Sequence, residues 1–436
     1  MGFYTRKLPP AAYLHFAINS QMKQDFGLPD IFYLDLWPFG PCLLLLTSPD
    51  AAAIPTTANN FPMPDVVTNS FDGNVGTTFI EATNGPLWKY LMHQLAPGLN
   101  STAVKTFSNS IIDYARALYD RLEQCAEIAQ PVEIQHDAGA LINPLTNWRW
   151  KQEMNECLWR LEGEIQARVN ARHAELQEQQ DKAANTRAPT LLDRMLLPRV
   201  QSQLPLDSSH MKLILESAKG FIIAGYGTTT ATSTYIWMLL STHLEVLRKL
   251  REEHDRVFDS DFERTFELLQ ENPSLIKSLH YTTTVIHETL RLFPIGMTAR
   301  QAPPNLGQIS AFEKSHFGIM TQLIHYDPEV FEDPKRFRPD RFLDGDQSVP
   351  RNAYRPFERG VRACIGQALA MDELKISLLM LARWFEFELV DHEPAKEPLF
   401  AHTDLDTKLG KRISSPRVHC YARGLSEDDD PACAPA

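Results

Sequence analysis

Apolar side chains recur every three or four residues in two long stretches of the chain, and this spacing predicts amphipathic helices. One stretch runs from Phe107 to Cys125, and the other, which is strongly charged, runs from Cys157 to Val169. A further helix is predicted from His243 to Val257. Between Ile31 and Thr47 the apolar runs are short and a Phe-Gly-Pro turn divides them, which is typical of strands. The pattern therefore predicts a mainly α fold with a small β-sheet region.

The stretch from Gly220 to Thr242 carries no formal charge and is long enough to cross a bilayer. It contains many hydroxyl side chains and glycines, which make it a poor membrane span. We therefore predict a helix that is buried in the middle of a large globular protein. Another helix is predicted from Gly366 to Phe385, after a series of Asp-Pro and Arg-Pro turns.

No linker divides the 436 residues, so one domain is expected over residues 1–424. It would contain a β-rich part at about 28–60 and a helical core at about 85–421. Residues 425–436 are acidic and are predicted to form a disordered tail, and the polar residues 177–188 to form a mobile connection. The net charge of -12 argues against a nucleic-acid partner, because phosphate binding needs a basic surface.

Six cysteines are scattered along the chain, and Cys364 lies in a distinctive segment. The segment has the spacing F-x-x-G-x-R-x-C-x-G, formed by Phe357, Gly360, Arg362, Cys364 and Gly366. A thiolate that binds a metal needs an electropositive pocket into which backbone N–H groups point. Gly360 permits the turn that aims these groups, Phe357 would shield the sulfur, and the following helix would place its positive end nearby. The alternative is a buried structural cysteine before a helix.

An E-x-x-R pair, formed by Glu288 and Arg291, lies on a helix that is predicted to end at Pro294. Such pairs are common on helix surfaces, where they contribute little. We interpret the equally spaced Glu253 and Arg256 as a solvated pair of this kind.

The cysteine segment resembles the signature of the cytochrome P450 family, and the resemblance extends from about Gly85 to Tyr421. It implies the single-domain cytochrome P450 fold. It also implies that the thiolate of Cys364 binds the iron of haem b, that Arg362 pairs with a carboxylate of the cofactor, and that Gly366 lets the next helix approach the macrocycle.

The family also has a buried network of one glutamate and two arginines that holds the thiolate segment. The order of motifs in this chain resembles it, with Glu288 and Arg291 joined by Arg341. Buried charges persist only when they are paired, so the loss of any member should leave an uncompensated charge.

Residues 224–229, in the charge-free helix, resemble the oxygen-binding stretch of the family. A threonine hydroxyl there can bond back to the preceding turn and relay protons, and this role falls on Thr228. Gly225 would give the ligand room. The sequence departs from the family at Gly227, which occupies the position of an acid, so proton delivery must use water, another residue or the substrate.

The segment from Gly85 to Pro97 resembles the W-x-x-x-R helix of the family. Trp88 could donate its indole N–H to a haem propionate. Met92 stands where the arginine usually is, and His93 is the substitute donor that we consider. The alternative for His93 is an exposed histidine on a helix face.

The resemblance implies a monooxygenase that inserts one atom of O2 into an apolar small molecule, in the style of fungal secondary-metabolism enzymes. Electrons would come from an NADPH-dependent flavin reductase or a ferredoxin, with Arg355, Arg359 and Lys375 as possible contacts. No apolar segment at the N-terminus and no transmembrane helix are recognised. We therefore expect a cytoplasmic protein, or one attached peripherally to the cytoplasmic face of the endoplasmic reticulum.

Residues 132–157 and 302–320 are shorter than the corresponding parts of the family, and Gly227 replaces an acid. These departures leave three alternatives open. One is a haem-binding protein with little or no monooxygenase activity, either truncated or sensor-like. The second is a haem-thiolate enzyme for coupling, desaturation or rearrangement, and the third is turnover driven by peroxide. The sequence does not identify the substrate.

Overall fold

The fold, obtained as a computed structural model, is described for residues 22–35, 42–127, 147–178, 190–303, 316–343, 349–389 and 418–422, without positions 24, 73–74, 297 and 351. The helices are α1 (Pro49–Ala53), α2 (Asp65–Ser70), α3 (Gly85–Leu95), α4 (Ser101–Val104), α5 (Ser108–Glu127), α6 (Asn147–Glu178), α7 (Leu191–Gln201), α8 (Ser208–Thr242), α9 (Leu244–Val257), α10 (Phe262–Glu271), α11 (His280–Leu292), α12 (Thr321–His325) and α13 (Gln367–Leu381). The strands are β1 (Ile31–Leu34), β2 (Leu43–Leu46), β3 (Thr298–Gln301), β4 (His316–Ile319), β5 (Phe385–Leu389) and β6 (Val418–Ala422). The predicted mainly α fold with a small β-sheet is confirmed.

The larger sheet has the strand order β1-β2-β4-β3. β1 and β2 form an antiparallel hairpin, and β2 pairs in parallel with β4, with Leu43 opposite His316. β3 pairs antiparallel with β4. Side chains along β1 are alternately exposed and buried, as expected when one face of a sheet covers the core. A separate pair is formed by β5 and β6.

The helix α8 changes its environment along its length. The side chain of Asp207 caps its first turn by accepting the backbone N–H of His210. Residues 231–240 are buried in an apolar cluster with side chains of α9, α11 and α13, except for one half-buried serine. Residues 222–228, in the middle, are exposed although none of them is charged. The charge-free stretch is therefore helical, as predicted. None of the helices described is long and apolar enough to cross a bilayer.

Two predicted boundaries were wrong. The part at 28–60 contains β1 and β2 but also α1 and a π-helical turn, because Ser48 caps a helix there. The helix predicted up to Phe385 ends at Leu381, and Phe385 begins β5. The predicted acidic tail 425–436, residues 179–188 of the predicted connection and most of both shortened regions lie outside the described residues.

The interpretation of Glu253 as a solvated surface residue was wrong. Its carboxylate is buried and accepts the backbone N–H groups of Tyr281 and Thr282 at 2.6 and 2.8 Å, at the first turn of α11. These groups have no partner within their own helix, so a carboxylate from α9 satisfies them and stabilises the helix end. This cap fixes the start of the helix that carries Glu288.

Candidate functional site

Cys364 lies at the end of a loop that leads into α13. The loop is closed by a hydrogen bond from the N–H of Cys364 to the carbonyl of Phe357, at 2.8 Å. Gly360 has a φ of +88°, and a Cβ at this position would lie 2.5 Å from the carbonyl oxygen of Thr56. Glycine fits here because it tolerates the left-handed backbone and the close approach. The loop therefore contains the tight turn that the sequence predicts.

The sulfur of Cys364 faces the first turn of α13. Backbone N–H groups of Gly366 and Gln367 donate to it and lower the pKa of the thiol. Burial is the larger influence and raises that pKa above its usual value, and the carboxylate of Glu81 raises it further. The Cys364 side chain nevertheless has accessible surface. A side chain that is both accessible and surrounded by protein lines an internal recess, so the sulfur opens onto such a recess.

A cluster of charged groups lies near this recess. The Arg362 guanidinium stacks over the ring of Trp88, 4.6 Å from its centroid, and donates to Oδ1 of Asn84 at 2.7 Å. Burial and the nearby charge of Arg300 lower the pKa of Arg362 to about 10, against the opposite influence of Glu81. Together with the groups that act on Arg300, three guanidinium groups face two carboxylates, which leaves an excess of positive charge.

Arg300 was missed in the sequence. It lies on β3 and is 2% exposed, and its burial lowers the pKa of the guanidinium, while the carboxylates of Glu358 and Glu81 raise it. A single arginine in a four-residue strand fits no spacing pattern, and its proximity to Arg362 arises only from the tertiary fold.

The predicted role of His93 finds no support in the structure. The side chain is exposed on α3, five positions after Trp88, which places it about 140° around the helix from that ring. The structure favours the alternative of an exposed histidine on a helix face. Arg300, whose charge acts on Arg362, is a second basic group near that guanidinium.

The structure brings Glu288, Arg291 and Arg341 together, as the motif order predicts. Arg291 donates to Glu288 through Nε at 2.7 Å and Nη2 at 2.9 Å, and Arg341 donates through Nε at 3.0 Å. The side chains of Glu288 and Arg291 have no exposed surface. Further guanidinium donors of Arg291 reach the backbone carbonyls of His325, Pro334 and Arg336. The guanidinium donors of Arg291 therefore all have acceptors, either the carboxylate of Glu288 or backbone carbonyls.

The expected surface contact at Arg355 was wrong. This side chain is 2% exposed, and its guanidinium donates to Oγ1 of Thr56 at 3.0 Å and to the Glu358 carboxylate. Glu358 in turn accepts the backbone N–H of Arg359 at 3.0 Å. Arg355 thus fastens the cysteine loop to the segment that follows α1, and it is not available to a protein partner.

The middle of α8 has little packed around it. The hydroxyl of Thr228 donates to the carbonyl of Ala224 at 2.6 Å, which is the back-bond to the preceding turn that the sequence predicts. The helix continues without a break through this turn. A Cβ built on Gly225 or Gly227 would meet no atom within 4 Å. The two glycines of residues 224–229 therefore border open space.

A carboxylate from another helix reaches this stretch. The carboxylate of Glu373, on α13, lies close enough to the side chain of Thr229 to interact with it. Burial raises the pKa of Glu373, and the interaction with Thr229 lowers it by a smaller amount. Sequence reasoning missed this acid because its partner lies on a distant helix and no spacing rule connects the two.

These features define a class of site. A cysteine sulfur at the start of a helix opens onto a recess near an excess of positive charge, and the sulfur already receives backbone N–H donors. Such a site suits an iron macrocycle with anionic side groups, since the thiolate can bind the metal and arginines can bind carboxylates. The residues present therefore fit haem, and Arg300, Arg362 and Trp88 are the groups that would bind its propionates.

The sequence model of the family described as Cytochrome P450 matches residues 139–409, which include Cys364. The chain is 27% identical to cytochrome P450 monooxygenase acrF of Aspergillus aculeatus, over 85% of this chain and 86% of that protein. It is 26% identical to polC of Polytolypa hystricis, over 94% and 81%, and 26% identical to ptmJ of Penicillium ochrochloron, over 89% and 82%. The chain belongs to the cytochrome P450 family, and it is an oxidoreductase of the monooxygenase type.

The alignment with acrF spans 440 positions, which is more than the 436 residues of this chain, although it includes only 85% of them. The relative therefore has residues within the aligned region that this chain lacks.

Proposed function

We propose that the protein binds haem b through the thiolate of Cys364 and inserts one atom of O2 into an apolar small molecule, in secondary metabolite biosynthesis. The observation that supports this most strongly is the sulfur of Cys364, which receives the N–H groups of Gly366 and Gln367 and opens onto a recess. The exposed apolar side chains of Ile222 and Ile223 on α8 support an apolar substrate.

Haem held by a thiolate supplies the activation of O2 by two electrons. Within the protein, Arg300 and Arg362 would bind its carboxylates and Trp88 would donate its indole N–H. Phe357 is half-buried against the apolar cluster beneath α8, where it would keep water from the sulfur. The N–H donors of α13 stabilise the negative charge on the sulfur of Cys364.

The second part of the proposal concerns protons. Gly227 occupies the position of the usual acid, so the proton source must lie elsewhere. Glu373 is the proposed source, because it lies next to the side chain of Thr229 and its raised pKa keeps it protonated closer to neutral pH. Thr228 is the proposed relay hydroxyl, and Gly225 leaves room beside it.

The third part concerns the electron donor. Three lysines surround Asp372 closely enough for their charges to lower its pKa against the rise that burial causes. They come from α13, from the residue after α4, and from the 3₁₀ turn before α11, and they are Lys375, Lys105 and Lys277. Lys105 and Lys277 are exposed. This cluster is the proposed docking surface for an acidic face of a flavin reductase or a ferredoxin.

The decisive experiment is the absorption spectrum of the purified protein, reduced with dithionite and exposed to carbon monoxide. A strongly red-shifted Soret band is expected in the wild type and in Cys157→Ala, whose cysteine is exposed on α6. Cys364→Ala should lose that band. Equal spectra for the two variants, or a wild-type band at the shorter wavelength of imidazole or thiol ligation, would refute ligation by the Cys364 thiolate.

The replacement of an acid by Gly227 also favours a second candidate, in which the enzyme catalyses coupling, desaturation or rearrangement. The two reactions differ in the fate of oxygen. With reductase and 18O2, insertion should place one labelled atom in the product, whereas these other reactions should give unlabelled product. Turnover with hydrogen peroxide and no reductase would instead support the peroxide-driven alternative.

A further inference from the structure

We propose that His325 is a positioning residue for the thiolate, because its ring joins the buried network of Glu288, Arg291 and Arg341 to the loop that carries Cys364. The inference rests on the proposed ligation by Cys364. It names a residue that lies outside every motif recognised in the sequence.

His325 is the last residue of α12, and it is completely buried. Its Nδ1 lies 3.0 Å from the carbonyl oxygen of Arg291, and its Nε2 lies 3.1 Å from the backbone nitrogen of Arg355. A backbone carbonyl accepts hydrogen bonds and a backbone N–H donates them. The geometry therefore assigns the proton to Nδ1 and a lone pair to Nε2, so the ring is neutral and uses both nitrogens.

Aromatic contacts and the backbone of His325 also hold the ring in place. It stacks on Tyr354 at 5.6 Å between centroids and 13° between planes, and its edge meets Phe331 at 5.7 Å. The carbonyl of His325 accepts Nη1 of Arg291 at 2.9 Å. Side chain and backbone of His325 thus both contact Arg291, which fixes the histidine to the charge network.

On the other side, Arg355 controls the cysteine loop. Its guanidinium binds Thr56 and Glu358, and Glu358 accepts the N–H of Arg359. The loop then closes with the hydrogen bond between Cys364 and the carbonyl of Phe357. A displacement of the Arg355 backbone therefore disturbs the contacts that determine where the sulfur lies.

The charged groups that act on the ring are the guanidinium groups of Arg291 and Arg355, and both oppose its protonation. Burial and the charge of Arg291 lower the pKa of His325 to about 3, while the backbone carbonyls of Arg291 and Ala353 oppose this shift. The unfolded chain binds this proton near pH 6.5. The stabilisation is therefore complete above about pH 6.5 and is lost as the pH falls toward 3.

Protonation changes what the ring can do. An imidazolium has two donors and no acceptor, so it cannot accept the N–H of Arg355. It could donate toward the carbonyl of Ala353 instead, which lies beside the ring. We expect the cysteine loop to lose its connection to the charge network in acid, with loss of thiolate ligation as the visible result.

The test follows the carbon monoxide spectrum of the reduced, haem-loaded protein from pH 8 to pH 4, which reports ligation without turnover. His325→Asn keeps a donor near the carbonyl of Arg291, but its side chain is too short to bring the amide oxygen to the N–H of Arg355 at any pH. His325→Gln can place its amide oxygen near the N–H of Arg355 and does not titrate. The control is His210→Gln, because His210 is also buried and its Nε2 contacts a backbone carbonyl on another helix.

We expect the wild type and the His210→Gln protein to lose the red-shifted band at the same acidic pH. In His325→Gln the midpoint should move by about one pH unit to lower pH, because the titrating group is gone. In His325→Asn a several-fold larger share of the short-wavelength form should be present already at neutral pH. Titration curves of both His325 variants that match the wild type would overturn the inference alone, whereas absence of the red-shifted band in the wild type would overturn the ligation by Cys364.

A second measurement uses the wild type, in case the variants fail to bind haem. Hydrogen exchange should show that the backbone N–H of Arg355 is protected at neutral pH and that its protection factor falls as the pH drops below about 6.5, because the opened loop takes up a proton at His325 that the closed loop does not bind. The buried N–H of Ala382, which donates to the backbone carbonyl of Leu378 at the end of α13 and has no titratable partner, serves as the reference. A constant ratio of the two protection factors from pH 8 to pH 4 would overturn the role of His325.

Discussion

The loop that carries Cys364 and the middle of α8 are built in opposite ways. The loop is held by buried charged groups. The guanidinium and carboxylate groups of the loop and of the neighbouring Glu288 network bind backbone and side chains on several elements. In α8, residues 222–228 are exposed, and a Cβ on Gly225 or Gly227 would meet nothing within 4 Å. In the loop, polar contacts hold the sulfur of Cys364 in place, whereas the middle of α8 leaves space free.

This difference agrees with the two tasks of a cytochrome P450. The ligand of the iron must stay fixed, because an error in its position changes the electronic properties of the metal. The opposite requirement applies to the substrate side, where a densely packed helix would leave no volume for a small molecule. Substitutions in the loop should therefore act mainly on folding and ligation, and substitutions in the middle of α8 mainly on binding and coupling.

The largest effect is expected for Glu288→Gln. The substitution leaves Arg291 and Arg341 without the buried carboxylate that both of them bind. Breaking a buried network in this way costs about 3–5 kcal/mol, which we expect as a lower free energy of unfolding together with loss of bound haem. Denaturant unfolding of the haem-loaded protein measures the former. The control is Glu252→Gln, which removes an exposed partner of Arg248 and should unfold like the wild type.

The next effect in size is expected for Gly360→Ala. A methyl group there meets the carbonyl oxygen of Thr56 on a backbone with φ of +88°, and backbone strain of this kind costs about 1–3 kcal/mol. Part of the strain should be relieved by displacement of the loop, so the share of the red-shifted carbon monoxide band should fall. Gly163→Ala, in α6, meets no atom within 4 Å and should stabilise the protein instead. A Gly360→Ala protein with the stability and the carbon monoxide spectrum of the wild type would contradict the description of the loop as tightly fixed.

A comparison within α8 should give a smaller effect. At Gly220 an added Cβ would collide with the ring of Phe79, so Gly220→Ala should destabilise the protein by about 1–3 kcal/mol. Gly225→Ala should leave the stability unchanged or raise it by up to about 1 kcal/mol, because alanine favours helix and nothing is displaced. It should weaken the binding of an apolar ligand, measured by spectral titration. Equal destabilisation by both substitutions would remove the contrast between the packed and the open parts of the helix.

The smallest effects on stability are expected for Thr228→Ala and Glu373→Gln, although both should change coupling. Product formed per O2 consumed should fall by about two orders of magnitude, the low end of what a positioned proton donor contributes. In the wild type, coupling should fall as the pH rises through the raised pKa of Glu373, since the protonated form supplies the proton. In Glu373→Gln the coupling should be low and independent of pH. A Glu373→Gln protein that keeps the wild-type coupling and pH profile would remove Glu373 from the proton path.

Local patterns predicted much of the molecule. The helical periodicity of 107–125 and 157–169 gave α5 and part of α6, and the cysteine motif located the loop before α13. The residues that escaped prediction depend on distant partners. Glu253 and Glu288 have the same i, i+3 spacing to an arginine, yet the first caps another helix and the second binds two guanidinium groups. Spacing along one helix does not reveal which face is covered, or by what.

Two arginines, Arg300 and Arg355, show the same limit of prediction from sequence. Arg300 joins Arg362 near the recess, and Arg355 is buried under the cysteine loop, although both could equally have been surface residues by composition. His325, on the other hand, ends a five-residue helix, and its two backbone partners lie 34 and 30 positions away. Contacts of that length are determined by the packed structure and not by any local preference.

The parallel pairing of β2 with β4 has a consequence for synthesis of the chain. The pairing of Leu43 with His316 cannot form until about 270 further residues have been synthesised, so the sheet closes late. At about 5–20 residues per second, the ribosome needs on the order of 10–60 s to supply that partner strand. During this interval the β1–β2 hairpin exposes the apolar row Leu43–Leu46 along an unpaired edge, where chaperones would bind it and where aggregation of nascent chains would begin.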